Sequence, residues 1–298
     1  MTDYKFQTFD VFTKEKFSGN PLAVVFDAQG LSTEQMQTIT AEFNLSETTF
    51  IFPPEDPGHT ARVRIFTLGY EMPFAGHPTV GTSIAIARAR GLSGALKLEL
   101  NAGLFDVELR GDDYAQFTNP NIPVEVGDAP SHEKLAPVFG LAQGDIETGA
   151  HRARLCGSGG VNYLYVCTSL EAVQRAVLNR AHYSALGLDE TVGIYLYAHG
   201  GIDAGSTYHA RMFAPDAGVE EDPATGSAAS GLPAQIVLAQ REMDQPLNDG
   251  SHHWVIEQGY EMGRKSQIMA QIDVKDGALK SVQIGGHAVQ IQSGILSV

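Results

Sequence analysis

Two stretches built on the same plan, half a chain apart, constrain what this sequence can fold into. Arg64-Ile65-Phe66 precedes Pro78-Thr79-Val80-Gly81-Thr82-Ser83, and Arg211-Met212-Phe213 precedes Pro223-Ala224-Thr225-Gly226-Ser227-Ala228. Each runs strand, loop, Pro-x-x-Gly-Ser/Thr, helix, and the two loops differ by two residues. Such self-similarity points to duplication of a strand-and-helix unit. A length of 298 residues agrees, because it suits two domains of ordinary size better than one small core.

The flanking segments fill in the unit. "KFQTFDVF" and "LAVVFDA" read as strands on either side of the turn Gly19-Asn20-Pro21. Ser32 with Gln35 forms a capping-box signature, which predicts a helix ending near Asn44 with Met36, Ile39 and Phe43 on one face. Strands "TTFIFP" and "ARVRIFT" come next. The helix after them has Pro78 at its first position, Val80, Ile84 and Ala87 towards a core, and Gly91 as its stop. Strands "ALKLELN", "LFDVELR" and "YAQFTN" follow, and "NPNIPVEVGDAP" at 119–130 reads as a linker. The second half offers strands "VNYLYVC", "VGIYLYAH" and "TYHARMF", a helix at "SLEAVQRAVL", and a last group of strands from about residue 252. The expected class is α+β. One domain covers residues 1–120, with 284–298 folding back to complete it, and the other covers 121–283.

Composition excludes several functions. A net charge of −15 and a pI near 5.0 disfavour nucleic acid as a partner. The longest apolar runs are strand-sized, so no membrane span is expected, and the N-terminus lacks the pattern of a signal peptide, so a cytoplasmic protein is expected. Cys156 and Cys167 are too few for a disulfide framework and form no C-x-x-C pair. Phosphate-loop, H-E-x-x-H and G-x-S-x-G motifs do not occur, and "CGSGGVN" lacks the final glycine of a dinucleotide fingerprint. The adjacent His252-His253 would project to opposite faces of a strand, so no metal site is expected.

The repeated helix starts suggest chemistry. A first helical turn has unpaired N–H groups and the positive end of the dipole, which attract anions. Two such starts facing one cleft would hold a small carboxylate, and Gly76 and Gly226 would let it approach the backbone. His77 before Pro78 and Asp222 before Pro223 occupy matching places, where they read either as a proton-transfer pair or as a turn histidine and an N-cap. Glu47 in "FNLSETTF" lies between a helix end and an apolar strand, where burial would suit its carboxyl to acid/base work, although a glutamate after serine in a loop is usually solvated.

"FNLSETTF", "MPFAGHPTVGT", "RMFAPDAGVEEDPATGSAA" and the late "GYEMGRKS" together resemble the PhzF-like family, named for an isomerase of phenazine biosynthesis, over nearly the whole chain. The resemblance implies the diaminopimelate epimerase-like fold: two pseudo-symmetric domains, each a mixed or antiparallel sheet wrapped around a central helix, with the site between them. It implies no cofactor and a homodimer. By motif, Glu47 would move a proton, His77, Asp222 and Ser227 would orient the substrate and assist, and Gly76, Thr225 and Gly226 would hold its carboxylate. Epimerases of this architecture place a cysteine at each helix start, and this chain has none there. The leading expectation is therefore a cofactor-independent isomerase that shifts a proton within a small unsaturated carboxylate. A non-thiol epimerase or racemase using Glu47 with His77 or Asp222, and a non-catalytic carboxylate-binding or interaction protein, are the competing readings.

Overall fold

Strands dominate the computed structural model, which describes residues 2–298, and the chain has a mixed α+β fold with few long helices. It divides into two compact units. One comprises the chain up to Pro120 with Arg264–Gln267 and Ile284–Val298, and the other Asn121–Gly263 with Ile268–Gln283.

In the first unit β1 (Asp3–Val11) and β2 (Asn20–Val25) form an antiparallel pair, and α1 (Thr33–Phe43) follows. The capping box forms as the sequence predicts: Gln35 N–H donates to Ser32 Oγ at 3.1 Å, Ser32 N–H donates to Gln35 Oε1 at 2.9 Å, and Asn44 ends the helix in the left-handed region. β3 (Glu47–Phe52) runs parallel to β2 and antiparallel to β4 (Ala61–Thr67), which turns into the short β5 (Glu71–Met72). Then come α2 (Gly76–Arg90) and the meander β6 (Ala95–Leu100), β7 (Gly103–Arg110) and β8 (Tyr114–Thr118). α2 packs on β1, β2, β3, β7 and β8, and every residue from Gly76 to Ala87 is buried. Val80, Ile84 and Ala87 are buried as expected, and the enclosure takes in the other residues from Gly76 to Ala87 as well, so the helix shows a core on every side over that stretch.

The second unit starts with β9 (Val124–Gly127), which pairs with β10 (Arg154–Ser158), after the short α3 (His132–Leu135). The segment read as a linker is therefore partly a strand, held there by its ladder to β10 despite the flanking prolines. β11 (Val161–Cys167) leads to α4 (Leu170–Arg175) and α5 (Arg180–Ser184), then to β12 (Gly193–His199), β13 (Tyr208–Ala214) and β14 (Val219–Asp222). The helix expected over "SLEAVQRAVL" stops at Arg175, because Ala176 turns extended and Val177 N–H donates to Phe139 O at 2.9 Å. α6 (Gly226–Glu242) packs on β9, β10 and β11, and β15 (Gly250–Gln258) runs parallel to β13. Strand alternation sorts the faces. Leu164, Val166, Ile194 and Leu196 join the core under α4, whereas Tyr165 points the other way and its hydroxyl donates to Ala228 O of α6 at 2.7 Å. β16 (Ser266–Lys275) and β17 (Ala278–Ser297) close the chain's path, and β17 returns to the first unit to pair antiparallel with β1 from Ala288 to Ser297.

The repeat is set in a different register from the one its Pro-x-x-Gly matches suggest. Gly76 and Gly226 are each the first helical residue, so Pro73 corresponds to Pro223, His77 to Ser227 and Gly81 to Gly231, a shift of five (227 − 222). Pro78 is accordingly the third helical residue, not the first, and Asp222 ends a strand instead of matching His77. Two physical features fix this register. Arg64 holds Glu71 by two hydrogen bonds of 2.7 and 2.6 Å and lies over Phe66, and Arg211 holds Glu221 by bonds of 2.7 and 2.8 Å and lies over Phe213. A methyl group on Gly81 would stand 2.6 Å from Leu22 Cδ2, and one on Gly231 would stand 2.1 Å from Tyr165 Oη. Both helices approach their sheets closer than any side chain allows.

Gly231→Ala is expected to destabilise the protein by about 1–3 kcal/mol through overpacking against the buried Tyr165. Tyr165→Phe removes the obstructing oxygen, so the double substitution should lose less than the sum of the single losses in urea or thermal unfolding. Additive losses would contradict the close approach.

Candidate active site

Three element starts meet at one point of the first unit. Asn20 begins β2, Glu47 begins the parallel neighbour β3, and His77 is the second residue of α2. His77 Nε2 lies 3.4 Å from Glu47 Oε2. Asn20 Nδ2 lies 3.2 Å from His77 Nδ1, and because an amide nitrogen only donates, Nδ1 is assigned as acceptor and the neutral ring's proton falls on Nε2, facing Glu47. Ser46 Oγ donates to Asn20 Oδ1 at 3.4 Å, which fits that orientation of the amide.

His77 is fully enclosed, and burial pushes its pKa down to about 3 against a smaller upward pull from the Pro21 carbonyl. The ring is therefore neutral across the physiological range. It is an enclosed neutral group packed 3.4 Å from the Glu47 carboxylate, not the group titrating near neutrality that its residue type suggests. Glu47 itself is mostly buried yet keeps some exposure, with 16% of its side-chain surface accessible.

The second unit assembles the other expected residues. Gln258, at the end of β15, donates through Nε2 to Asp222 O at 2.7 Å and to Thr225 Oγ1 at 2.9 Å, and its Oε1 accepts from Thr225 N–H at 3.1 Å and from the Tyr195 hydroxyl at 3.2 Å. The Thr225 hydroxyl in turn donates to Asp222 Oδ2. With donors and acceptors thus matched, Gln258 locks the segment that enters α6 and fixes the Asp222 carboxylate. The Thr225 amide, expected to hold a substrate carboxylate, is engaged within the protein. Ser227 Oγ pairs with the Tyr163 hydroxyl at 2.8 Å, one residue past Gly226 at the helix start.

Neither helix start is capped by a side chain of its N-cap residue, Ala75 for α2 and Thr225 for α6, and neither carries an acidic residue in its first turn. The contrast is α1, where Ser32 and Glu34 occupy those positions. First-turn N–H groups have no partner inside the helix, so the two starts keep the anion-attracting character read from the sequence. The cysteines are elsewhere. Cys156 lies on β10 and Cys167 on β11, and burial pushes both thiols up to about 12, which removes the thiolate needed for two-thiol proton exchange.

Asn20, Gln258, Tyr163 and Tyr195 were not among the residues expected at the site. Asn20 was legible only as turn punctuation in "GNP". Gln258 stands immediately before the "GYEMG" stretch that carried part of the family resemblance, and its role depends on a parallel pairing of β13 with β15 that local pattern does not reveal.

The chain is similar to known proteins over nearly its whole length. A protein 41% identical over 300 residues, covering 97% of both chains, is an isomerase of uncharacterised activity from Mesorhizobium japonicum. The trans-2,3-dihydro-3-hydroxyanthranilate isomerase of Pseudomonas aeruginosa is 33% identical over 293 residues, covering 98% of both chains. The crystal structure of a PhzF-family phenazine biosynthesis protein from Bacillus anthracis superposes with a TM-score of 0.85 at 26% identity over the full length of both. Fold and relatives define an enzyme of the isomerase class. The family profile described as phenazine biosynthesis-like protein, PhzC-PhzF, matches residues 9–294, and the chain belongs to that family.

Because unfolded histidine titrates near 6.5 and folded His77 near 3, the unfolded chain takes up the proton first. The stability gained by burying a neutral ring is complete above about pH 6.5 and is lost as pH falls towards 3, at up to about 1.4 kcal/mol per pH unit. His77→Gln should therefore lose less stability than the wild type between about pH 6.5 and 5 in urea unfolding. Parallel pH profiles for the two proteins would contradict a neutral buried His77.

Proposed function

We propose that the protein is a cofactor-independent isomerase that shifts a proton within a small unsaturated carboxylate, with Glu47 as the acid/base. The observation that carries this reading is the Glu47 carboxylate lying 3.4 Å from Nε2 of a buried neutral imidazole, at a helix start with no side-chain cap. Identity of 33% to a trans-2,3-dihydro-3-hydroxyanthranilate isomerase over 98% of both chains supports the reaction class.

In the proposed cycle the Glu47 carboxylate takes a proton from one substrate carbon, the electron pair of the broken C–H bond enters the conjugated system, and the carboxylic acid returns the proton to another carbon as the double bonds shift. Nothing is gained or lost overall. Backbone donors at Gly76 and Gly226 would hold the substrate carboxylate. Asp222 and Ser227 would orient the substrate and assist the transfer, and Thr225, whose amide serves Gln258, takes a positioning role. The two pseudo-symmetric domains, each a sheet around a central helix, belong to the same proposal, as do a homodimeric state and a cytoplasmic setting. Among the described residues no helix is long and apolar enough to cross a membrane.

Incubation with trans-2,3-dihydro-3-hydroxyanthranilate in D2O, followed by proton NMR, tests the reading. Conversion to the ketone tautomer is expected for the wild type, with Glu47→Gln slower by about 10²–10⁴-fold at unchanged thermal stability. Undiminished turnover by Glu47→Gln would remove Glu47 from the mechanism, and solvent exchange with loss of optical activity in place of tautomer formation would assign the protein to the epimerases.

A further inference from the structure

The strand alternation that aims Tyr163 and Tyr165 at α6 brings Cys167 to the same face at the end of β11. On β12, its parallel neighbour, Tyr195, Tyr197 and His199 line up likewise, with Cys167 opposite Tyr197. His151, on the turn before β10, completes the row: its ring stands edge-on to that of His199 with centroids 4.8 Å apart, and its Nδ1 is 3.4 Å from the Tyr197 hydroxyl. The Cys167 sulfur and one ring nitrogen from each histidine all lie within 4.8 Å of one another. The proton transfer proposed above uses none of these residues. Tyr197 accepts a hydrogen bond at 3.1 Å from Gln235, which lies eight residues (235 − 227) beyond Ser227 on α6, about 12 Å along the helix.

We propose that His151, Cys167 and His199 bind a zinc ion. One thiolate and two imidazoles form a donor set suited to this borderline-soft ion, with the fourth tetrahedral position left to water. Bond lengths of about 2.0–2.1 Å to nitrogen and 2.3 Å to sulfur place tetrahedral ligands roughly 3.5 Å apart. His199 is exposed and His151 half-buried, so the contraction falls to these two rings about the buried Cys167. The segment that leads to His151 is already tied to β11, because Glu147 N–H donates to Cys167 O at 2.9 Å. A bound zinc ion replaces the Cys167 thiol proton, which is released on binding. The ion would clip the ends of β11 and β12 to the turn that carries His151. Spacing in sequence conceals this group, because its members come from separate strands and a turn.

The test uses the full chain, stripped with a chelator and kept reduced. Titration with Co2+ should saturate at one equivalent per chain and give thiolate-to-cobalt charge-transfer absorption, which Zn2+ then abolishes by displacement. Cys167→Ser should lose that absorption and the rise in Tm produced by Zn2+, with its circular dichroism unchanged. His199→Asn, at an exposed position, should weaken Co2+ binding by about tenfold or more and carries the test if Cys167→Ser does not fold. Cobalt binding without charge-transfer absorption, absorption that survives Cys167→Ser, or unaltered affinity in His199→Asn would each overturn the proposal.

Discussion

A helix enclosed on every side has no water to satisfy its first-turn N–H groups and no free face for bulky side chains, and α2 and α6 both live under that constraint. Their composition follows from it. Gly81 and Gly231 let the helices meet their sheets at distances a methyl group would forbid, and the hydroxyls that enter the core are bonded at once, Thr82 to Thr49 at 2.8 Å, Ser83 to Thr79 O and Ser230 to Ser227 O at 2.7 Å. At the starts neither Ala75 nor the side chain of Thr225 caps its helix. Burial thus shapes the packing and the chemistry together.

Polar groups in these interiors are held in pairs that leave little freedom. Arg64 with Glu71 and Arg211 with Glu221 fasten the hairpins that precede the helices by planar two-point contacts, with an aromatic ring beneath each guanidinium. Gln258 performs a comparable task for the Asp222–Thr225 segment by using both ends of its amide. The candidate catalytic groups consequently sit on backbone that is fixed before any substrate arrives, the condition under which oriented dipoles lower a barrier most effectively.

What was legible in the sequence was whatever depends on neighbours along the chain. The Ser32–Gln35 capping box, the Asn44 and Gly91 helix stops and most strands followed from local chemistry. Glu47 and His77 were named before the structure brought them together, since their motifs are short and continuous. The repeat was visible but out of register. Pro78 and Pro223 look alike in sequence, whereas the correspondence is enforced by ion pairs from Arg64 and Arg211 that reach across a hairpin. Gln258 and Asn20 stayed hidden because strand pairing, not spacing, delivers them. The charge state of His77 is hidden from the sequence for a related reason: it is set by what encloses the side chain, and enclosure is a property of the assembled fold.

The pairing of β1 with β17 has a consequence for the order in which the protein matures. Residues 3–11 leave the ribosome early, yet their partners at 288–297 emerge only after the whole of Asn121–Gly263 has been made. Until then one edge of β1 offers unpaired N–H and C=O groups in a row, a template for adventitious strands. The unit encoded in the middle of the chain has most of its own strands at hand first, and the unit encoded at the beginning is finished afterwards, inverting the usual N-to-C sequence of domain folding during synthesis. Nascent chains halted short of β17 would carry that open edge, so protection of β1 during translation is a demand that this topology places on the cell.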